Sequence, residues 1–404
     1  MSHVSPNEYL KKILLAPVYE AAVNSDCVLM NRLSSELGNQ IYLKREDQQP
    51  VKSFKLRGAY NRISQLSDEQ LAKGVIAASA GNHAQGMAYA AKQKKIHATI
   101  VMPETTPDIK VDAVRRFGGK WVEIVQHGTS FDTASKYAQA LCAERELTYI
   151  PPFDDPDVIA GQGTIAREML EQQPDLDTLF VAVGGGGLAA GIAVYVKQLK
   201  PEIKIIAVES EESACLKAAL AAGEPVTLPT VGIFADGVAV KTIGTETFRL
   251  CQQYVDEVIT VSNDEICAAI KDIFDDTRVI AEPAGALSIA GIRQYCQTHK
   301  VTGHHFGGIL CGANINFHTL RYVSERCELG ERKEAVFAVK IPEVTGSFKR
   351  FCEVLGGINI TEFNYRFANA QQAYVFVGVK LKRGLEEYAE LTATLAENGY
   401  EAID

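Results

Sequence analysis

The stretch Thr178–Leu188 reads TLFVAVGGGGL. Its first part, Thr178–Val183, is apolar or β-branched throughout, which fits a strand buried on both faces of a parallel sheet. Gly184, Gly185, Gly186 and Gly187 follow, and then a helical pattern that runs to Leu199. Four residues without Cβ leave several amides free to point one way beside a helix start. That is a nest for a phosphate. A merely flexible turn would need neither flank.

Outward from this point, short apolar runs alternate with helical patterns from about residue 75 to 325. Strands are expected at Val75–Ser79, His97–Val101, Lys120–Val125, Ile203–Glu209, Glu257–Val261 and His305–Cys311, with a further strand-like run at Gln40–Lys44. Helices are expected after Lys55, where Leu56, Tyr60 and Ile63 share one face, and at Asp154–Glu171 and Pro283–Cys296. The class is α/β, with open, mostly parallel sheets covered on both faces. Ligands on such sheets bind beyond the carboxyl ends of the strands, so the strand-to-helix loops are where chemistry should lie.

The polar stretch Cys327–Lys333 (CELGERK) reads as a linker. After it the order becomes strand (Ala335–Ile341), helix (Thr345–Leu355), strands (Gly357–Arg366 and Gln372–Leu381), helix (Leu385–Asn398) and a short last strand. This is the βαββαβ order of a small ferredoxin-like domain. The expected organisation is a catalytic domain over 1–326, a linker over 327–333 and a second domain over 334–404.

Composition narrows the functional classes. The chain has 404 residues, 47% of them apolar and 23% charged, and a net charge of −9. An acidic chain has no overall positive field for nucleic acid or an anionic membrane. No unbroken apolar stretch of the roughly 18 residues of a membrane span is present, since the most apolar region, Leu179–Val196, is broken by four glycines in a row. The first residues lack the apolar core of a signal peptide. Nine cysteines without a C-x-x-C pair argue against a disulfide framework or a zinc ribbon and fit a cytoplasmic protein.

Four further motifs carry chemistry. Lys55 lies in Ser53-Phe54-Lys55-Leu56-Arg57-Gly58 at a helix start, where the positive helix end helps its amine lose a proton and attack an aldehyde. Its neighbours Phe54 and Leu56 are apolar, unlike those of an ordinary solvated lysine. Ser79-Ala80-Gly81-Asn82-His83 closes a strand and can offer amides to an anion, although Ser and Asn there would also suit simple helix capping. Cys311-Gly312-Ala313-Asn314 closes another strand. A buried thiol could meet a ring nitrogen there or be plain core. Glu282-Pro283-Ala284-Gly285 opens a helix and could line the same space. Gly185-x-Gly187-x-x-Ala190 with Glu209 also comes near a dinucleotide fingerprint. A nicotinamide dehydrogenase would, however, leave Lys55 and Asn82 without a task.

Taken in order, YLKRED, SFKLRGA, ASAGNHAQG, VAVGGGGL, AEPAGA and CGAN resemble the fold-type II pyridoxal-phosphate enzymes, and within them the threonine dehydratases of the isoleucine-forming branch. The resemblance covers nearly the whole chain and implies a catalytic domain of two open, mostly parallel α/β subdomains. It implies pyridoxal 5'-phosphate held by Lys55 as a Schiff base, with Phe54 packed on its ring and Asn82 bonded to its phenolic oxygen. Gly184, Gly185, Gly186, Gly187 and Leu188 would take its phosphate, and Cys311 would face its ring nitrogen, where many relatives carry Ser. Ser79, Ala80, Gly81, Asn82 and His83 would receive the substrate carboxylate. The implied reaction converts L-threonine, and also L-serine, to a 2-oxo acid and ammonia. Related racemases carry a serine at the Ala80 position as a second proton donor, and alanine cannot serve as one. Some relatives bind a cation near the position of Glu209. Here the stretch Glu209–Cys215 lacks the later Asp, so no metal is expected.

The tail, IPEVTGSFKRFCEVLGG and TEFNYRFA, resembles the ACT-like regulatory unit of these enzymes, which implies isoleucine as effector, and the family resemblance as a whole implies a homotetramer. Three alternatives remain: a sibling serine dehydratase or β-replacement synthase, the dehydrogenase above, and an amino-acid-sensing protein on an inactive scaffold.

Overall fold

The computed structural model describes residues 3–369 and 372–403, so Met1, Ser2, Ala370, Gln371 and Asp404 lie outside the described residues. Its strands are β1 (Cys27–Leu29), β2 (Gln40–Arg45), β3 (Val75–Ala78), β4 (Ala98–Met102), β5 (Val122–Gln126), β6 (Thr148–Tyr149), β7 (Thr178–Ala182), β8 (Lys204–Ser210), β9 (Glu257–Val261), β10 (His305–Leu310), β11 (Glu334–Pro342), β12 (Ile360–Asn369), β13 (Gln372–Lys380) and β14 (Ala402–Ile403). They form three sheets. The chain divides into one compact unit of residues 1–263 and 269–316 and a second of 264–268 and 317–404.

In the first unit a six-stranded sheet runs β1-β2-β10-β7-β8-β9, and a four-stranded sheet runs β5-β4-β3-β6. Every pairing is parallel except that of β1 with β2. These are the two open, mostly parallel α/β subdomains expected. The all-apolar runs explain it. β3, β4 and β7 are buried at every position, as strands covered by helices on both faces must be. β7 lies between β10 and β8, so the strand that leads into the four glycines has strands on both sides.

The helices carry local start signals. Asp155 accepts from the amides of Asp157 and Val158 and precedes Pro156, so the Pro156–Gln172 helix begins there. This helix packs on the Lys55–Ser64 helix, and a buried charge cluster ties the two together. Arg57 bonds to Glu46 at 2.8 Å and to Glu168 at 2.9 Å, and Lys44 reaches Glu168 at 2.6 Å. All four side chains are fully buried.

The second unit holds the sheet β12-β13-β11-β14, antiparallel throughout. The Ser347–Leu355 and Leu385–Glu397 helices complete the ferredoxin-like βαββαβ order. Its core is its own: Phe337, Val339, Ile341, Phe351, Leu355, Val375, Val377 and Leu395 cluster together. Ahead of β11 the Thr319–Gly330 helix takes Cys327–Gly330, the first part of the stretch read as a linker, so the polar residues there form the last turn of a helix.

Candidate active site

The elements of the first unit deliver the chosen motifs to strand ends. β7 leads to Gly184, β10 to Cys311 and β3 to Ser79, and the segment 46–54, which opens with the 3-10 turn Glu46–Gln48, carries the chain from β2 to Lys55. The Lys55 and Cys311 loops are stitched to each other. Ser53 and Gly312 form a β-bridge, Phe54 N donates to Cys311 O at 3.1 Å, and Ala313 N donates to Lys52 O at 3.0 Å.

Lys55 is the first residue of its helix. Its Nζ donates to the carbonyl oxygen of Pro152 at 2.8 Å and sits 5.4 Å from the centre of the Phe54 ring. Burial pushes its pKa down to about 8, against the pull of Cys311 and Glu282. A lysine with that value has a substantial neutral fraction near physiological pH, as an amine nucleophile requires. The Cys311 thiol is buried, and burial together with Glu282 raises its pKa, so it stays a neutral S–H.

The glycine loop is moulded from outside. A Cβ on Gly185 would lie 2.2 Å from Phe153 Cδ1, so the Phe153 ring packs directly on the backbone. Gly186 has φ +88, in the left-handed region. The carbonyls of Gly184 and Gly185 are taken by Cys215 Sγ at 3.2 Å and Thr247 Oγ1 at 2.7 Å. The amides of Gly184 to Leu188 have no acceptor among the described residues. Five adjacent donors beside the start of a buried helix are matched in chemistry to a phosphate dianion. With the lysine of lowered pKa and the neutral thiol, the donor set fits a phosphorylated aldehyde with a basic ring.

The Ser79–His83 segment starts the Asn82–Lys94 helix. Ser79 Oγ accepts from the amides of Gly81 and Ala84, both at 3.3 Å, which orders the turn and leaves its O–H to donate. The amides of Asn82 and His83 have no acceptor among the described residues and remain available to an anion. The His83 ring is buried and lies 3.0 Å from Ile150 O. Burial, helped by Lys55, pushes its pKa down to about 3, so the ring is neutral. Only its backbone is placed to bind.

Asn82 Nδ2 donates to Glu282 at 2.6 Å, and its Oδ1 accepts from Asn314 Nδ2 at 2.7 Å. Glu209, by contrast, takes the amides of Leu216 at 2.7 Å and Lys217 at 2.9 Å, and so caps the Cys215–Ala222 helix. No group of three or more His, Cys, Asp or Glu among the described residues is arranged to hold a metal.

Sequence reasoning missed the segment Pro152–Asp155. Pro152 holds the lysine, Phe153 shapes the glycine loop, and Asp154 accepts from the amides of Thr245, Glu246 and Thr247 at 3.0–3.1 Å. The Asp-Asp-Pro signal marks a helix start, but nothing in it reveals contact with Lys55. Thr247 was also missed.

A family model described as pyridoxal-phosphate dependent enzyme matches residues 18–312, and one described as the C-terminal regulatory domain of threonine dehydratase matches residues 325–404. The biosynthetic L-threonine dehydratase of Escherichia coli is 59% identical over 397 residues, covering 98% of this chain and 77% of that protein. Among solved structures, the processed form of threonine deaminase isoform 2 from Solanum lycopersicum matches with a TM-score of 0.77 at 49% identity, over 79% of this chain and 92% of that one. Maize serine racemase matches with a TM-score of 0.73 at 30% identity, over 81% of this chain and all of the other.

Proposed function

Because the chain belongs to the pyridoxal-phosphate-dependent enzymes, in the branch of the biosynthetic threonine dehydratases, we propose that it deaminates L-threonine to 2-oxobutanoate and ammonia, the step that commits threonine to isoleucine. The observation that carries this reading is the Lys55 amine, its pKa lowered to about 8, at strand ends that also bring together five free amides and a neutral thiol.

In this reading Lys55 holds pyridoxal 5'-phosphate, Phe54 flanks its ring, Asn82 meets the phenolic oxygen, Gly184 to Leu188 take the phosphate and Cys311 faces the ring nitrogen. When bound, the cofactor supplies an electron sink for the pair left at Cα of the substrate. The chain does the rest. The amides of Asn82 and His83, in the segment Ser79–His83, hold the substrate carboxylate. The Lys55 amine, once free, would take the Cα proton as general base. The β-hydroxyl would leave as water, taking up the proton equivalent that Lys55 removed from Cα, and a water molecule would return in the hydrolysis that frees ammonia and the 2-oxo acid. A neutral Cys311 would leave the ring a weaker electron sink than a carboxylate partner would. Ala80 has no proton to give, which favours elimination over racemisation despite the likeness to maize serine racemase.

L-Serine, one methyl smaller, is a second substrate. The domain over residues 334–404 is regulatory and responds to isoleucine, with the catalytic domain over 1–326; of the segment 327–333 between them, Cys327–Gly330 end a helix. The enzyme works as a cytoplasmic homotetramer. Inhibition requires isoleucine to bind one conformation more tightly than another.

The test is an absorbance spectrum of the purified protein with and without threonine, with product assayed, repeated on Lys55→Ala. A visible cofactor band that threonine perturbs, 2-oxobutanoate formation and an inactive variant are expected. Isoleucine binding without product would instead favour the sensing protein.

A further inference from the structure

Glu282, Asn82 and Asn314 form a closed hydrogen-bonded ring. Glu282 Oε1 accepts from Asn82 Nδ2 at 2.6 Å, and its Oε2 accepts from the Asn314 amide at 3.0 Å. Asn314 Nδ2 donates to Asn82 Oδ1 at 2.7 Å and to Val51 O at 2.9 Å. The Glu282 backbone is fixed as well, since its amide donates to Gly312 O at 3.1 Å.

A carboxamide has nearly the same shape in its two flipped senses, so its partners decide which end is which. Here they leave one choice. The Val51 carbonyl can only accept, so Asn314 must present Nδ2, and that nitrogen spends both hydrogens. Asn82 must then turn its oxygen to Asn314 and its nitrogen to the acceptor Glu282. One Asn82 N–H is left over. We propose that Glu282 and Asn314 are positioning residues for the reaction, locking the Asn82 carboxamide so that this remaining N–H is held toward the phenolic oxygen of the cofactor. The proposal rests on the reading of Asn82 as a cofactor contact.

The lock has a consequence in pH. Glu282 is 5% exposed, and the donors to its carboxylate among the described residues are the neutral Asn82 side chain and the Asn314 amide. Burial raises its pKa to about 7. Asp236 adds to the rise, while Asn82, the Asn314 amide and Lys110 oppose it. Lys110 and Asp236 are themselves paired at 2.6 Å. Lys55 and Cys311 also face the carboxylate, but the thiol is neutral and the lysine amine is engaged once the cofactor is bound. Above the transition both oxygens accept and the ring is closed. Below it one oxygen carries a proton, which faces a donor or forces Asn82 to flip, and the lock opens.

The holoenzyme tests this by its visible spectrum and by kcat and KM, all recorded across the neutral range. The wild type should show a spectral transition near pH 7 with kcat falling on the acid side. Glu282→Gln keeps the shape but presents a donor where an acceptor is needed. It should abolish the transition and lower kcat about tenfold with a small change in KM, while Glu282→Asp partly restores both. Asn314→Ala should lower kcat and shift the spectrum with its transition retained, which guards against a Glu282 variant that fails to fold. A wild-type spectrum, transition and kcat in Glu282→Gln would overturn the proposal. Asn82→Ala separates the premise: if it perturbs the spectrum while Glu282→Gln does not, only the lock fails. If Asn82→Ala leaves the spectrum untouched, the reading of Asn82 fails and takes the lock with it.

Discussion

Thr247 Oγ1 donates to the carbonyl oxygen of Gly185 at 2.7 Å. The bond ties the Gly185 peptide, in the middle of the glycine loop, to the Thr245–Tyr254 helix. Thr247 contributes no group to the ligand, yet it shapes the cradle. Thr247→Val keeps the volume and removes the donor. Losing one such buried hydrogen bond costs about 1 kcal/mol, so cofactor affinity should fall roughly fivefold. Titration of the apoprotein with pyridoxal phosphate measures it, and an unchanged Kd would deny Thr247 this role.

The buried cluster beside the lysine predicts a stability effect. Lys44 and Arg57 face Glu46 and Glu168 with no exposure. Arg57→Met leaves two buried carboxylates with one cation between them. Breaking a buried pair in this way costs about 3–5 kcal/mol. Urea unfolding of the apoprotein should show a loss of that size, with Lys55 chemically intact.

The lowered Lys55 pKa sets a pH dependence. In the apoprotein the amine is neutral above about 8, so the rate of cofactor capture should rise with a midpoint near 8 rather than near the ordinary lysine value. Stability follows the same sign. Between about 8 and the ordinary lysine pKa the unfolded chain holds a proton that the folded chain does not, so apoprotein stability gains as pH rises through that window. In Lys55→Met this part of the gain should vanish, as pH-dependent thermal melts will show.

The separate core of the second unit, built on Phe337, Phe351 and Val377, predicts that control can be removed without removing chemistry. Deletion of residues 334–404 should retain threonine turnover and abolish isoleucine sensitivity. Equal sensitivity in the shortened enzyme would refute the regulatory assignment.

What the sequence made legible follows a physical pattern. Strands that are apolar throughout, such as β3, β4 and β7, announce themselves, as do the βαββαβ order and the glycine loop between a strand and a helix. The two-residue β6 and three-residue β1 are too short for any periodicity to register. The role of Pro152 is exercised by a backbone carbonyl, which every residue type has, so no side-chain pattern could reveal it. Asn314 stood in view within Cys311–Asn314, but its part depends on Glu282 and Asn82, which lie far from it in the chain. His83 was expected among the carboxylate-binding residues, and the structure commits its ring to Ile150, leaving only its amide for that task.

The chemistry proposed for this chain requires Lys55 to be the residue that carries the cofactor. Borohydride reduction of the holoprotein followed by peptide mass spectrometry tests this most directly. A single phosphopyridoxyl adduct on the peptide containing Lys55, absent from Lys55→Ala, is the predicted result. An adduct on another lysine, or none on a protein that still turns over threonine, would contradict it.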